Sequence, residues 1–227
     1  MQLIDLSQTL GPDTPLFSDA WPRPTITPYL SHAQSAFSGR YSGTTVELSF
    51  AQFVTSIGTY LDSPFHFNPN GATIERLDLR QLVLPGLRID CPAAQPHQPL
   101  GPELLAGQDV AGKAVLLNTG WSSYWGKPTY FEHPFIGAEL ARALRDQGAK
   151  LVGCDFLAAD DPNDPQRPAH VALLNANILI VENLTQLSLL PPGPFIFHAA
   201  PARVVGAAAF PVRAYAVVQG KVLSAEC

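Results

Sequence analysis

Three short apolar runs in the second half of the chain set its architecture. Ala114-Val115-Leu116-Leu117, Leu151-Val152-Gly153-Cys154 and Ile178-Leu179-Ile180-Val181 are too short for stable helices and carry no polar interruption, so each reads as a buried strand. Between the first two, residues 136–147 place Leu140, Ala143 and Leu144 on one helical face, and Gly148 is positioned to stop the helix. Residues 170–176 predict a shorter helix between the second and third runs. Strand, helix, strand, helix, strand implies parallel crossovers, hence an α/β core. The first half reads richer in strand. Residues 44–50 alternate in the manner of a strand, and residues 82–89 are apolar but broken by Pro85-Gly86. Residues 92–102 predict a proline-rich surface loop. Pro12, Pro15, Pro22, Pro24 and Pro28 make the start of the chain an extended arm over residues 1–28. With no internal repeat and no convincing boundary, the expectation is one domain over residues 1–227.

Composition narrows the function classes. A net charge of -5 without a basic run argues against nucleic-acid binding, which needs clustered Lys and Arg to neutralise phosphates. No apolar run approaches the roughly 18 residues of a membrane span. Cys91, Cys154 and Cys227 give an odd count without Cys-x-x-Cys spacing, neither a disulfide framework nor a thiolate zinc site. The first six residues meet Asp5 too early for a leader peptide, so the expected location is the cytoplasm. The expected partners are a small-molecule substrate and further copies of the chain, with neither nucleic acid nor membrane. A hydrophobic fraction of 46% against 15% charged is slightly high for a monomer, in keeping with a homodimer or homotetramer.

Two segments offer metal-ligating chemistry. Asp62 and His66 lie four apart across Pro64, in a stretch whose Gly58 and Pro64 suit a loop presenting polar groups inward. His170 and Glu182 form the second pair, with Glu182 ending an apolar run, where open α/β sheets place functional groups. Each residue also has a plain reading. Asp62 could cap a turn, His66 could be a core imidazole between Phe65 and Phe67, His170 could start a helix, and Glu182 could sit solvated at a strand end. Convergence of all four in space decides between the readings. Aromatic residues near the motif, Phe53, Phe65, Phe67, Trp121 and Trp125, either wall a pocket for a planar substrate or pack the core. Phe65 and Trp121, with Ser56, are the substrate-contact candidates.

Several motifs occur in order along nearly the whole chain: Asp5-Leu6-Ser7-Gln8, Gly58-Thr59, Asp62-x-Pro64-x-His66, Leu117-Asn118-Thr119-Gly120-Trp121, Val152-Gly153-Cys154-Asp155, His170-x-x-Leu173-Leu174, Ile180-Val181-Glu182-Asn183-Leu184 and Pro211-Val212-Arg213-Ala214. In these the chain resembles the cyclase family of metal-dependent hydrolases, which includes kynurenine formamidase-like and isatin hydrolase-like enzymes. The resemblance implies a swivelling β/β/α-type α/β fold with a mixed sheet, and an oligomer whose subunits complete each other's pockets. It implies metal ligands at Ser56, Tyr60, Asp62, His170 and Glu182, with His66 as acid and base. The family pattern His-x-Gly-Thr-His-x-Asp-x-Pro-x-His has Ser56 and Tyr60 in place of its first two histidines. Neutral hydroxyls replace imidazoles poorly as ligands, so at most one ion, Zn2+ or Mn2+, is expected on Asp62, His170 and Glu182. The implied reaction is hydrolysis of a small amide, formamide, lactam or lactone. Two alternatives stay open: a metal-free cyclase, dehydratase or isomerase using Tyr60 and His66, and a non-catalytic relative that binds a small ligand.

Overall fold

The computed structural model describes residues 1–37 and 39–218; Cys227 lies outside the described residues. Its strands are β1 (Gln2–Asp5), β2 (Thr25–Leu30), β3 (Leu48–Gln52), β4 (Tyr60–Asp62), β5 (Val83–Asp90), β6 (Pro99–Leu100), β7 (Ala114–Asn118), β8 (Phe135–Ile136), β9 (Leu151–Cys154), β10 (Leu179–Glu182), β11 (Phe195–His198), β12 (Ala209–Pro211) and β13 (Tyr215–Val218). The helices are α1 (His32–Phe37), α2 (Ala138–Asp146) and α3 (Pro168–Leu174). Nine strands form one mixed sheet in the order β1-β13-β11-β5-β7-β9-β10-β4-β12. The fold is α/β, with β5, β7, β9 and β10 parallel at its centre and antiparallel strands on both flanks. No helix among the described residues is long and apolar enough to cross a membrane.

The central strands alternate between two cores. Val115, Leu117, Val152, Cys154 and Ile180 face a cluster completed by Leu140, Ala141 and Leu144 of α2 and Leu173 and Leu174 of α3. Ala114, Leu116, Leu151, Leu179 and Val181 face the opposite cluster with Leu61, Phe197 and Ala216. Burial on both faces is why these strands read as unbroken apolar runs. Each fully buried leucine contributes about 1.5–3 kcal/mol of transfer free energy. Helix α2 stops where Gly148 takes a left-handed φ of 83°, the conformation in which a glycine avoids the Cβ penalty.

Three expectations change. The apolar stretch at 82–89 is not broken: β5 runs through Pro85-Gly86. Pro85 precedes the register with β7, which begins at Gly86, so its missing N–H costs that ladder nothing. Gly86 lies opposite Phe195 of β11, and any Cβ at 86 would overlap that ring. The start of the chain is also more than an arm, because Gln2–Asp5 pairs with β13 at the sheet edge. The proline-rich loop is not structureless either, since Pro99 and Leu100 pair in parallel with Phe135 and Ile136. We expect Gly86→Ala to destabilise the fold by about 1–3 kcal/mol through overpacking, measured by urea denaturation. Phe195→Leu in the same chain should recover part of that loss.

Candidate active site

The pairing of β4 with β10 brings the first two acids together. In its register Glu182 lies opposite Tyr60, and Ile180 lies opposite Asp62. Residues directly opposite in an antiparallel pair project to the same side, so Tyr60, Asp62 and Glu182 share the face that carries the helices. The Tyr60 hydroxyl donates to Glu182 Oε2, and the Ala159 N–H donates to Glu182 Oε1 at 2.6 Å. After β4 the chain turns at Ser63-Pro64 into a short 3-10 turn, Pro64–His66. This swings His66 back, placing Nε2 3.7 Å from Asp62 Oδ1. A lock beside the strand fixes the preceding loop. Asn183 donates to the Gly58 carbonyl at 2.8 Å, accepts from the Tyr130 hydroxyl, and receives Thr59 Oγ1 on its own carbonyl at 2.6 Å.

His170 arrives from α3, which begins at Pro168 rather than at 170. Its Nδ1 donates to Asp160 Oδ2 at 2.6 Å, and the backbone N–H groups of Ala169 and His170 donate to the same carboxylate. That bond orients the ring and turns Nε2 inward, 3.3 Å from Glu182 Oε1 and 3.8 Å from Asp62 Oδ2. Phe67 stacks on the imidazole with centroids 4.7 Å apart.

Burial dominates the electrostatics, and hydrogen bonds decide the signs. Burial pushes the Asp62 carboxyl well above the usual carboxylate range, and the Glu182 charge adds to it. Burial, followed by the charges of Glu182 and Asp62, does the same to the Tyr60 hydroxyl. For Glu182 burial acts upward but is outweighed by its bonds from His170, Tyr60 and Ala159, so its carboxyl falls below the usual value. At His170 burial acts downward and is overcome by Asp160, Glu182 and Asp62, which raise the imidazole to about 10. Burial and the neighbouring His170 lower His66 to about 4.

One observation bears directly on whether a metal ion fits. Asp62 is fully buried, yet neither carboxylate oxygen has a hydrogen-bond partner. An orphaned buried carboxylate is costly unless a cation sits against it. Asp62, His66 and His170 present ligand atoms that all lie within 4.8 Å of one another. His170 is held from behind by Asp160, the carboxylate-imidazole arrangement that orients metal-binding histidines. Asp62 and His170 offer two donors suited to a single divalent ion, with His66 or Glu182 close enough to supply a third. Glu182 adjoins this set through His170, with Oε2 already taken by Tyr60.

A cavity of about 160 Å³ opens over these groups, lined in part by Ser56, Tyr60, His66, Phe67, His170 and Glu182. Two substrate-contact candidates are not part of its lining. Phe65 projects outward, 37% exposed, from the turn that carries His66. Trp121 is buried in the core against Tyr124. Sequence reading missed Asp160, Phe17, Trp21 and Arg167. Asp160 sits in an Asp-Asp-Pro-Asn-Asp stretch that reads as a turn, and its position ten residues before His170 was the available signal. The other three line the cavity from segments without any motif.

Comparison with known proteins agrees with this fold. A family model described as "Putative cyclase" matches residues 4–161. A protein of Geobacillus thermodenitrificans named kynurenine formamidase is 32% identical, with the match covering 93% of this chain and 95% of that one. A solved structure titled as a potential metal-dependent hydrolase with cyclase activity is 26% identical, with a TM-score of 0.77 over 95% of this chain and 96% of the other. An isatin hydrolase bound to the product analogue thioisatinate superposes with a TM-score of 0.84 at 23% identity, over 96% and 93% of the two chains. The shared fold, the matched segment that includes the Asp62 and His66 motif, and the full-length relatives together place this chain in the cyclase family.

Proposed function

We propose that the protein is a hydrolase of a small amide, formamide, lactam or lactone that works with one divalent ion, Zn2+ or Mn2+. The observation carrying this reading is the Asp62 carboxylate, buried and without a hydrogen-bond partner between two imidazoles. Asp62 and His170 would hold the ion, with Glu182 beside them as the third ligand. When bound, such an ion acidifies water towards neutrality and polarises a carbonyl oxygen. His66 acts as the proton carrier. Burial keeps the ring neutral near pH 7, so Nε2 is free to take the proton of an attacking water and pass it to the leaving nitrogen or oxygen, although the lowered pKa makes it a weaker base than a free imidazole. Asp160 keeps His170 in one tautomer and orientation. Tyr60 caps Glu182, and burial holds its hydroxyl well above the usual range, which counts against a tyrosinate ligand.

We further propose that the working form is a homodimer or homotetramer in the cytoplasm. The β2–β3 ribbon supports the first part. Ile26, Leu48 and Phe50 are about half exposed on it, and an isolated two-stranded ribbon is marginal in water without something to pack on. Cys91 and Cys154 are buried free thiols, in keeping with a reducing compartment.

Elemental analysis of protein purified without chelator should find up to one zinc or manganese per chain, and Asp62→Asn should remove it. His66→Gln should keep that metal while lowering kcat about 10²–10⁴-fold; metal lost with His66 would make it a ligand instead. Tyr60→Phe should cost about 1–3 kcal/mol of stability by orphaning Glu182 Oε2, yet hold kcat within tenfold in an amidase assay. A loss of several orders of magnitude would restore Tyr60 as the acid. Light scattering should give a mass of two or four chains, and Phe50→Asp should shift it towards one.

A further inference from the structure

The cavity carries a cation that the proposed chemistry leaves unused. Arg167 lines it together with Phe17, Trp21, His66 and His170. The guanidinium lies over the Phe17 ring, 5.2 Å from the centroid, and Phe17 in turn meets Trp21 at 5.9 Å. Its Nη1 and Nη2 donate to the main-chain carbonyls of Asp161 and Pro162 at 3.0 and 3.2 Å. Among the described residues it enters no ion pair. The nearby carboxylates are committed elsewhere: Asp160 to His170 and Asp161 to Asn163. A guanidinium has five N–H donors; two carbonyl bonds and the Phe17 ring leave donors free and the charge without a carboxylate partner.

The backbone at this position is also unusual. Arg167 has a left-handed φ of 47°, a region costly for a residue with a Cβ, and it directly precedes Pro168, whose ring restricts it further. Glycine would relieve that cost. An arginine in a glycine conformation, three residues before His170, stands at the rim of the site.

We propose that Arg167 is the anion clamp of this cavity: the substrate bears a carboxylate that pairs with the guanidinium, while its apolar ring packs on Phe17 and Trp21. That this anion belongs to a substrate rests on the hydrolase reading given above. A planar monoanion suits the site best. It matches the guanidinium fork, it fits a cavity of about 160 Å³, and buried Asp62, Asp160 and Glu182 repel a more highly charged phosphate. The amide to be cleaved is then an aromatic one carrying an acid group at the end away from His66.

Binding of benzoate and of its neutral isostere benzamide, measured by calorimetry on the protein as purified, tests the clamp without needing turnover. The wild-type protein should bind benzoate about tenfold or more tightly than benzamide. Arg167→Met, which keeps an apolar stem over Phe17, should abolish the preference and leave benzamide affinity within about twofold. Arg167→Lys should keep part of it, and serves as the readout if the methionine variant does not fold. Equal affinities in the wild-type protein would overturn the proposal. So would a benzoate preference that survives the loss of Arg167, since the carboxylate would then be seated on other groups. Hydrolysis of 4-formamidobenzoate, whose acid group lies opposite the amide across the ring, against formanilide separates the two readings. Arg167-dependent benzoate binding with neither compound turned over would keep the clamp and sink the hydrolase.

Discussion

The whole site depends on one strand register. β4 is three residues long, and its pairing with β10 sets Tyr60 against Glu182 and Asp62 against Ile180. Strand side chains alternate, so a slip of β4 by one residue would send Tyr60 and Asp62 away from Glu182 into the opposite apolar core among Leu61, Val181 and Leu184. The register is secured by side-chain bonds as well as by the ladder. Asn183 ties the Gly58-Thr59 turn to the end of β10, and β12 holds the outer side of β4 with Ala209 opposite Asp62. The structure spends hydrogen bonds here because a short strand carrying two buried polar side chains has little burial energy of its own.

Charge balance follows from that placement. Asp62, Asp160 and Glu182 are buried within reach of His170, which draws on all three. Two of these acids are stabilised by donors and the third is not. Asp160 receives two backbone N–H groups and a ring N–H, Glu182 receives a hydroxyl and a backbone N–H, and Asp62 receives none. The asymmetry divides the acids into two that position and one that is available. Tyr60, at a position where the family pattern has histidine, belongs to the positioning side.

Much of the architecture was legible in the chain, for a physical reason. Strands buried on both faces carry apolar residues at every position, so β7, β9 and β10 announced themselves, as did the amphipathic α2. β5 did not, because the demand for glycine at 86 comes from Phe195, 109 residues further along, and no local pattern registers it. Strand β3 begins later than the alternation at 44–50 implied, since it pairs with a ribbon exposed on both sides, where side-chain pattern constrains little. At the site, the acids and imidazoles were identifiable by residue type, and their meeting is a tertiary fact. Phe65 lies outside the cavity lining because it projects outward from the turn that carries His66, and Trp121 because it packs into the core from a separate turn. Arg167, Phe17 and Trp21 had no motif to mark them.

The distance along the chain between the two halves of the site has a consequence for biosynthesis. The Tyr60 and Glu182 partners are 122 residues apart, and β12, which closes the outer side of β4, comes later still. At elongation rates of about 5–20 residues per second, Asp62 is synthesised roughly 6–24 seconds before the strands that bury it, β10 and β12. During that interval the carboxylate is solvated and charged. Only when the late strands arrive is it drawn into the interior, so the cost of burying this acid falls at the last stage of folding and not while the chain is being made.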